Sequence, residues 1–132
     1  MTSFSTTYRV RRDDLVRYSG ASGDFNPIHY SDRIATAMGL PGVIAHGMLT
    51  MALAARAVGE WAGGPDRVTS FTVRFTSMVV VPDDDEGVDL VVSGEAGEPD
   101  ESGLVPVAVT ATCQGEAVLG KATALVRDAP PR

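Results

Sequence analysis

The sequence predicts an α+β fold, a single curved antiparallel sheet wrapped around one long central helix. Three observations carry that reading. The stretch from Met48 to Val58 has almost no polar face, apolar residues begin to alternate with polar ones after Val68, and 132 residues fit one domain but not two.

The elements follow in order. TTYRV, Thr6 to Val10, suits a short strand. In RRDDLVRYSG, Asp13 and Asp14 stand where a helix N-terminus favours negative charge, and Leu15, Val16 and Tyr18 give that helix an apolar side. Gly20, Gly23 and Pro27 then break regularity, which predicts a loop from Asp24 to His29 between two short helices. Ser31 can cap the second helix, DRIATAMG, and Gly39 can close it. Gly42 to His46 reads as an extended approach to a third helix that starts near Gly47 and stops at GGPD. Met48, Leu49, Met51, Ala52, Leu53, Ala54 and Ala55 leave its first two turns apolar nearly all round, so it must be enclosed.

In VTSFTVRFTSMVVV, Phe71, Val73 and Phe75 alternate with Thr72, Arg74 and Thr76, the pattern of a half-buried strand. PDDDEG is a turn, and VDLVVSGEA, LVPVAVTATC and AVLGKATALV supply three more strands. Pro106 places its strand at an edge or beside a bulge. One enclosed helix followed by four antiparallel strands is the pattern of a hot dog fold. The domain is set at 1–127, with 128–132 as a disordered tail.

Composition narrows the function classes. A net charge of −6 gives no general attraction for nucleic acid or anionic lipid. Cys113 is the only cysteine, so an internal disulfide and a multi-cysteine metal site are excluded, and a reducing compartment is favoured. The opening MTSFSTTYRVRRDD has no apolar targeting core, and Arg56 and Glu60 interrupt MLTMALAARAVGEWAGG before it reaches membrane-spanning length. The expectation is a cytoplasmic protein.

SGDFNPIHYSDRIA concentrates the chemistry. Asp24 and His29 flank a proline, so both side chains can enter one cleft instead of lying along a helix face. A histidine near neutrality can take or return a proton, and a carboxylate in an apolar cleft can have its pKa raised to serve as its complement. Asn26 can hydrogen-bond across the loop and Pro27 stiffens it. Taken alone, the pattern more often describes an Asx-turn beside a packed histidine. In AHGMLTM, the N–H of Gly47 falls at the start of the enclosed helix, where a free donor at the positive dipole end suits a carbonyl gaining negative charge. His46 and Gly47 could also serve only to turn the chain. A metal site from Asp24, Asn26, His29 and Asp32 has one histidine among hard oxygens, a poor zinc set. No G-x-S-x-G nucleophile elbow and no phosphate-binding glycine loop is present.

YSGASGDFNPIHYSDRIA, with Tyr18, Gly23, Asp24, Asn26, Pro27, His29 and Ala35, resembles the hydratase 2 motif of the MaoC-like dehydratases, the R-specific enoyl-thioester hydratases. GVIAHGMLTMAL and VRFTSMVVVPDD resemble that family's next two blocks, in order. The resemblance implies that Asp24 and His29 are catalytic and that the Gly47 amide is the oxyanion donor, with Asn26 and His46 in support. It implies reversible loss of water from a (3R)-3-hydroxyacyl thioester to give the trans-2-enoyl thioester. No metal or redox cofactor is expected, the acyl group being carried on acyl carrier protein or coenzyme A. The expected assembly is a homodimer or a heterodimer with a related hot dog chain. A noncatalytic partner subunit and a hot dog thioesterase are the competing functions. The acidic VPDDDEGVD loop is expected to lie away from the thioester entrance, and Arg33, Arg56, Arg67 and Arg74 are candidates for a basic rim.

Overall fold

The structure, a computed structural model, describes residues 2–130. Its elements are β1 (Ser3–Val10), α1 (Arg12–Ser22), a 3-10 turn (Pro27–His29), α2 (Asp32–Ala37), α3 (Gly47–Ala62), a second 3-10 turn (Pro65–Arg67), β2 (Val68–Phe75), β3 (Val88–Ala96), β4 (Val105–Cys113), β5 (Glu116–Ala117) and β6 (Leu119–Val126). The strands form one antiparallel sheet in the order β1-β3-β4-β6-β2, with β5 paired to β4. Helix α3 lies against the sheet and touches β1, β2, β3 and β6, which is the expected hot dog arrangement.

Small side chains let the helix approach. Ala54, Ala57, Val58 and Ala62 are buried on α3, facing a sheet core that includes Leu90, Val92, Val107, Val109 and Ala124. Each fully buried valine or leucine stabilises the fold by about 1.5–3 kcal/mol relative to exposure. The helix is not enclosed all round, however. Met48 is 56% exposed and Ala52 is exposed, so the first half of the outer face of α3 is apolar and uncovered within one chain, before Arg56 and Glu60 make it polar. Val16 of α1 likewise points outward, at 63% exposure, leaving Leu15 to anchor that helix.

The strands differ from expectation in two places. Strand β2 stops at Phe75, whose ring is 54% exposed, and pairs only with β6 at the sheet edge. The residues after it run on without joining the sheet: Val79 and Val81 are buried, and Val80 bridges Ile44 ahead of α3. Pro106 lies in a central strand with an unbroken register to both neighbours. It is tolerated because it sits at the second position of β4, opposite the end of β3, where its carbonyl accepts from Gly97. The bulge falls instead on β6, between Ala122, which pairs with Val109, and Val118, whose N–H reaches the Ala111 carbonyl. Lys121 adopts φ +48° there.

The expected caps form. The Ser31 hydroxyl accepts from the Ile34 N–H at 3.2 Å, and Gly39, at φ +87°, closes α2. Gly87 ends the acidic loop at φ +71°, and a Cβ there would collide with the Val10 carbonyl. The loop's Asp83, Asp84 and Asp85 face Arg11, Arg12 and Asp13 at the corner between β1 and α1. Of the candidate rim arginines, Arg56 pairs with Glu60 at 2.9 Å, and Arg67 reaches the Ala62 and Asp128 carbonyls. Ala129 packs on the core, while Pro131 and Arg132 of the expected tail lie outside the described residues.

Candidate active site

Helix α1 ends at Gly23, which takes the left-handed conformation at φ +77° and returns its N–H to the Ser19 carbonyl. That reversal delivers Asp24 into a short chain of side-chain turns. The Asp24 Oδ1 accepts the Asn26 N–H at 3.2 Å, and the Asn26 Oδ1 accepts the Ile28 N–H at 3.2 Å, capping the 3-10 turn that begins at Pro27. The Asn26 amide oxygen is thus occupied by the backbone. It shapes the turn that presents His29.

The second wall is the segment before α3. The Asp32 carboxylate binds Arg12 at 2.9 Å and the Val43 N–H at 3.0 Å, and the guanidinium first, then that N–H, hold its pKa below the usual carboxylate value. The Ile44 N–H donates to the Ile28 carbonyl, and the Ile44 carbonyl meets the His29 Nδ1 at 2.8 Å. Asp32 is therefore a clamp on this segment.

These two walls bring Asp24 and His29 together. The Asp24 Oδ2 lies 3.8 Å from the His29 Nε2, with the carboxylate side chain 52% exposed and the imidazole only 8%. The carboxylate is at the mouth and the imidazole is deep. This differs from the sequence expectation of a carboxylate sunk in an apolar cleft, because the helix end at Gly23 turns Asp24 outward.

His46 completes a stack that the sequence did not reveal. Its ring lies 3.8 Å from that of His29, centroid to centroid, at an interplanar angle of 21°, and the edge of Tyr18 closes on it at 4.8 Å. The His46 Nε2 is 3.2 Å from the Asp24 carbonyl oxygen and 3.1 Å from the Ser19 Oγ. Burial lowers the His46 pKa, the Asp24 carbonyl opposes that shift, and the neighbouring His29 adds to it. No local pattern marks which backbone carbonyl will face a ring, so Ile44 and the Asp24 main chain escape sequence reasoning. Ser19, inside the quoted motif, was the one legible signal.

Gly47 is the first residue of α3, so its N–H has no acceptor within the helix. A Cβ there would meet the Phe75 ring at 3.2 Å, which makes glycine the residue that admits β2 this close. Gly47 borders a cavity of about 150 Å³ with Ile44, Thr50, Phe75, Met78 and Val118. Asp24 and His29 do not line that cavity. A larger one, about 380 Å³, lies between Tyr8, Tyr18, Leu49, Leu53 and Arg56, on the side where Tyr18 touches His46.

A metal fits poorly, for a reason other than histidine number. Asp24, His29 and His46 place donor atoms within 4.8 Å of one another, so a second histidine does join the set. Near-parallel stacked rings, however, direct their lone pairs side by side and not toward one point. The His29 Nδ1 and His46 Nε2 are also taken by backbone carbonyls.

Comparison with known proteins agrees with the fold. A stretch of 82 residues, 60% of the chain, is 43% identical to the fatty acid synthase subunit beta of Aspergillus oryzae, and covers 4% of that protein. Another stretch, 56% of the chain, is 39% identical to 3-hydroxyacyl-thioester dehydratase X of Mycobacterium tuberculosis, and covers 25% of it. The solved R-hydratase PhaJ1 from Pseudomonas aeruginosa superposes with a TM-score of 0.82 at 30% identity, over 98% of this chain and 81% of that one. The chain spans only a small part of the curated relatives it matches. The MaoC like domain description matches residues 2–113, and the chain belongs to that family.

Proposed function

We propose that the protein catalyses the reversible dehydration of (3R)-3-hydroxyacyl thioesters to trans-2-enoyl thioesters. The observation that carries the reading is the Asp24–His29 pair, a half-exposed carboxylate 3.8 Å from a buried imidazole nitrogen. The Ile44 carbonyl can only accept, so the His29 Nδ1 carries the proton toward it and the Nε2 keeps its lone pair. That nitrogen takes the C2 proton. The electron pair forms the C2–C3 double bond as the C3–O bond breaks, and the hydroxyl leaves as water with the proton that Asp24, entering the step as the protonated acid, gives it directly or through one water. Proton return from His29 to Asp24 across the same gap restores the pair. Donation by the Gly47 N–H to the thioester carbonyl would stabilise the enolate character that makes C2–H removable.

The acyl group is carried on the phosphopantetheine of acyl carrier protein or on coenzyme A, in fatty-acid or polyketide metabolism, and the protein works in the cytoplasm. The uncovered α3 face at Met48 and Ala52, together with sheet edges at β1 and β2, supports pairing with a second hot dog chain, identical or related. Keeping both members of the acid–base pair argues against a noncatalytic subunit. The deciding experiment is an assay across short and long trans-2-enoyl and (3R)-3-hydroxyacyl thioesters, on coenzyme A and on carrier protein. Loss of enoyl absorbance from the enoyl substrates and its gain from the (3R)-3-hydroxyacyl ones, with no release of thiol, is the expected result. Thiol release would make the protein a thioesterase, and no reaction with any of them would overturn the reading.

A further inference from the structure

The chain has two histidines, and the structure places their rings face to face. Two stacked imidazoles pose an electrostatic problem, because a proton gained by one raises the cost of a proton on the other. The groups that face the His46 ring are Tyr18 and Ser19 from α1, the Asp24 carbonyl and carboxylate from the following loop, and the His29 ring from the 3-10 turn. The Asp24 carbonyl accepts only, so the nitrogen at 3.2 Å from it, Nε2, must bear the hydrogen. The Ser19 Oγ, at 3.1 Å from the same nitrogen, then lies within reach as a second acceptor. The other nitrogen, Nδ1, is buried and has no hydrogen-bond partner among the described residues. A proton there would be an unsatisfied buried donor, a costly group to form.

His29 is wired the opposite way. Its carbonyl partner, Ile44, fixes hydrogen on Nδ1 and leaves Nε2 open toward Asp24. Two backbone carbonyls thus select opposite tautomers in adjacent rings.

We propose that His46 is a positioning residue locked as the neutral Nε2–H tautomer. Its one N–H holds the Asp24 main chain in place, and its ring is the shelf on which His29 stacks. Only His29 of the two takes up a proton during turnover. The lowered pKa of His46, caused first by burial, agrees with this assignment. The inference extends the acid–base reading above to the residue that aligns the pair, and it is tested partly without turnover.

With only two histidines, ring nitrogen-15 resonance in histidine-labelled full-length protein is assignable from a single variant. The expected spectrum has His46 as the Nε2–H tautomer at every pH at which the protein stays folded, and neutral His29 as Nδ1–H. A His46 signal in the Nδ1–H form, or one that protonates along with His29, overturns the proposal. Two variants then separate tether from shelf. His46→Phe keeps a ring but no donor, and should lower kcat by about 10-fold or more with KM changed less than about threefold, as expected of misalignment in place of lost binding. His46→Gln restores an N–H toward the Asp24 carbonyl, and should recover part of that loss. A folded His46→Phe protein with wild-type kcat also overturns the proposal. If the wild-type chain turns over no thioester, the dehydratase reading fails while the ring spectrum still decides the tautomers.

Discussion

At the scale of single residues, the separation of Asp24 and His29 by a proline-stiffened loop was legible in the sequence, since Asx-turn chemistry and a proline dictate a tight presentation. What the sequence withheld was depth: a carboxylate side chain 52% exposed beside an imidazole 8% exposed. Asp24→Asn and His29→Gln preserve size while removing proton chemistry, so each should cost at least about 100-fold in turnover. The double variant should lose far less than the product of the two, because members of one unit are not additive. Turnover measured beside melting temperature checks this: a structural Asx-turn and packed histidine would instead lose stability first and keep activity per folded molecule. His46 adds a pH prediction. Its folded pKa is below the ordinary 6.5, so the unfolded chain binds the extra proton first on acidification. Its contribution to stability is complete above about pH 6.5 and is lost as pH falls below that. Melting temperature should therefore drop on acidification through that range, and drop less in His46→Phe. An identical pH slope in both proteins would contradict the shift.

At the scale of elements, α3 and the strand periodicity were readable because the apolar pattern changes period sharply after Gly63 and Gly64. Phe75 and Pro106 show where such reading stops. Alternation predicts a buried Phe75, but β2 has only β6 beside it and ends there. Proline predicts an edge or a bulge, but a central strand accepts it where its neighbour's ladder is ending. Turn geometry gives a sharper test. Gly87→Ala combines a left-handed φ with a clash against the Val10 carbonyl, and should destabilise by about 2 kcal/mol or more. Gly103→Ala has φ +80° but open space around it, and should cost only about 1 kcal/mol. Denaturant midpoints of the two variants decide it. Equal losses would mean that the carbonyl contact adds nothing beyond strain.

At the scale of the whole molecule, the apolar α3 face at Met48 and Ala52 predicts a dimer in light scattering at micromolar concentration. Ala52→Arg, placed on that exposed face, should give a monomer with reduced turnover and an unchanged fold by circular dichroism. A fully active wild-type monomer would remove the need for a partner. Strand order has another consequence, in the timing of synthesis. Strand β1 is made first, yet Val10 pairs with Val88, and β2 pairs only with β6, whose last residue is Val126. Neither sheet edge has a local partner, so a nascent chain that has emerged as far as α3 holds an apolar helix and no sheet to shelter it. Loop closure over such spans makes the folding rate slow for a domain of this size, and leaves α3 open to chaperone capture until the last strand has left the ribosome.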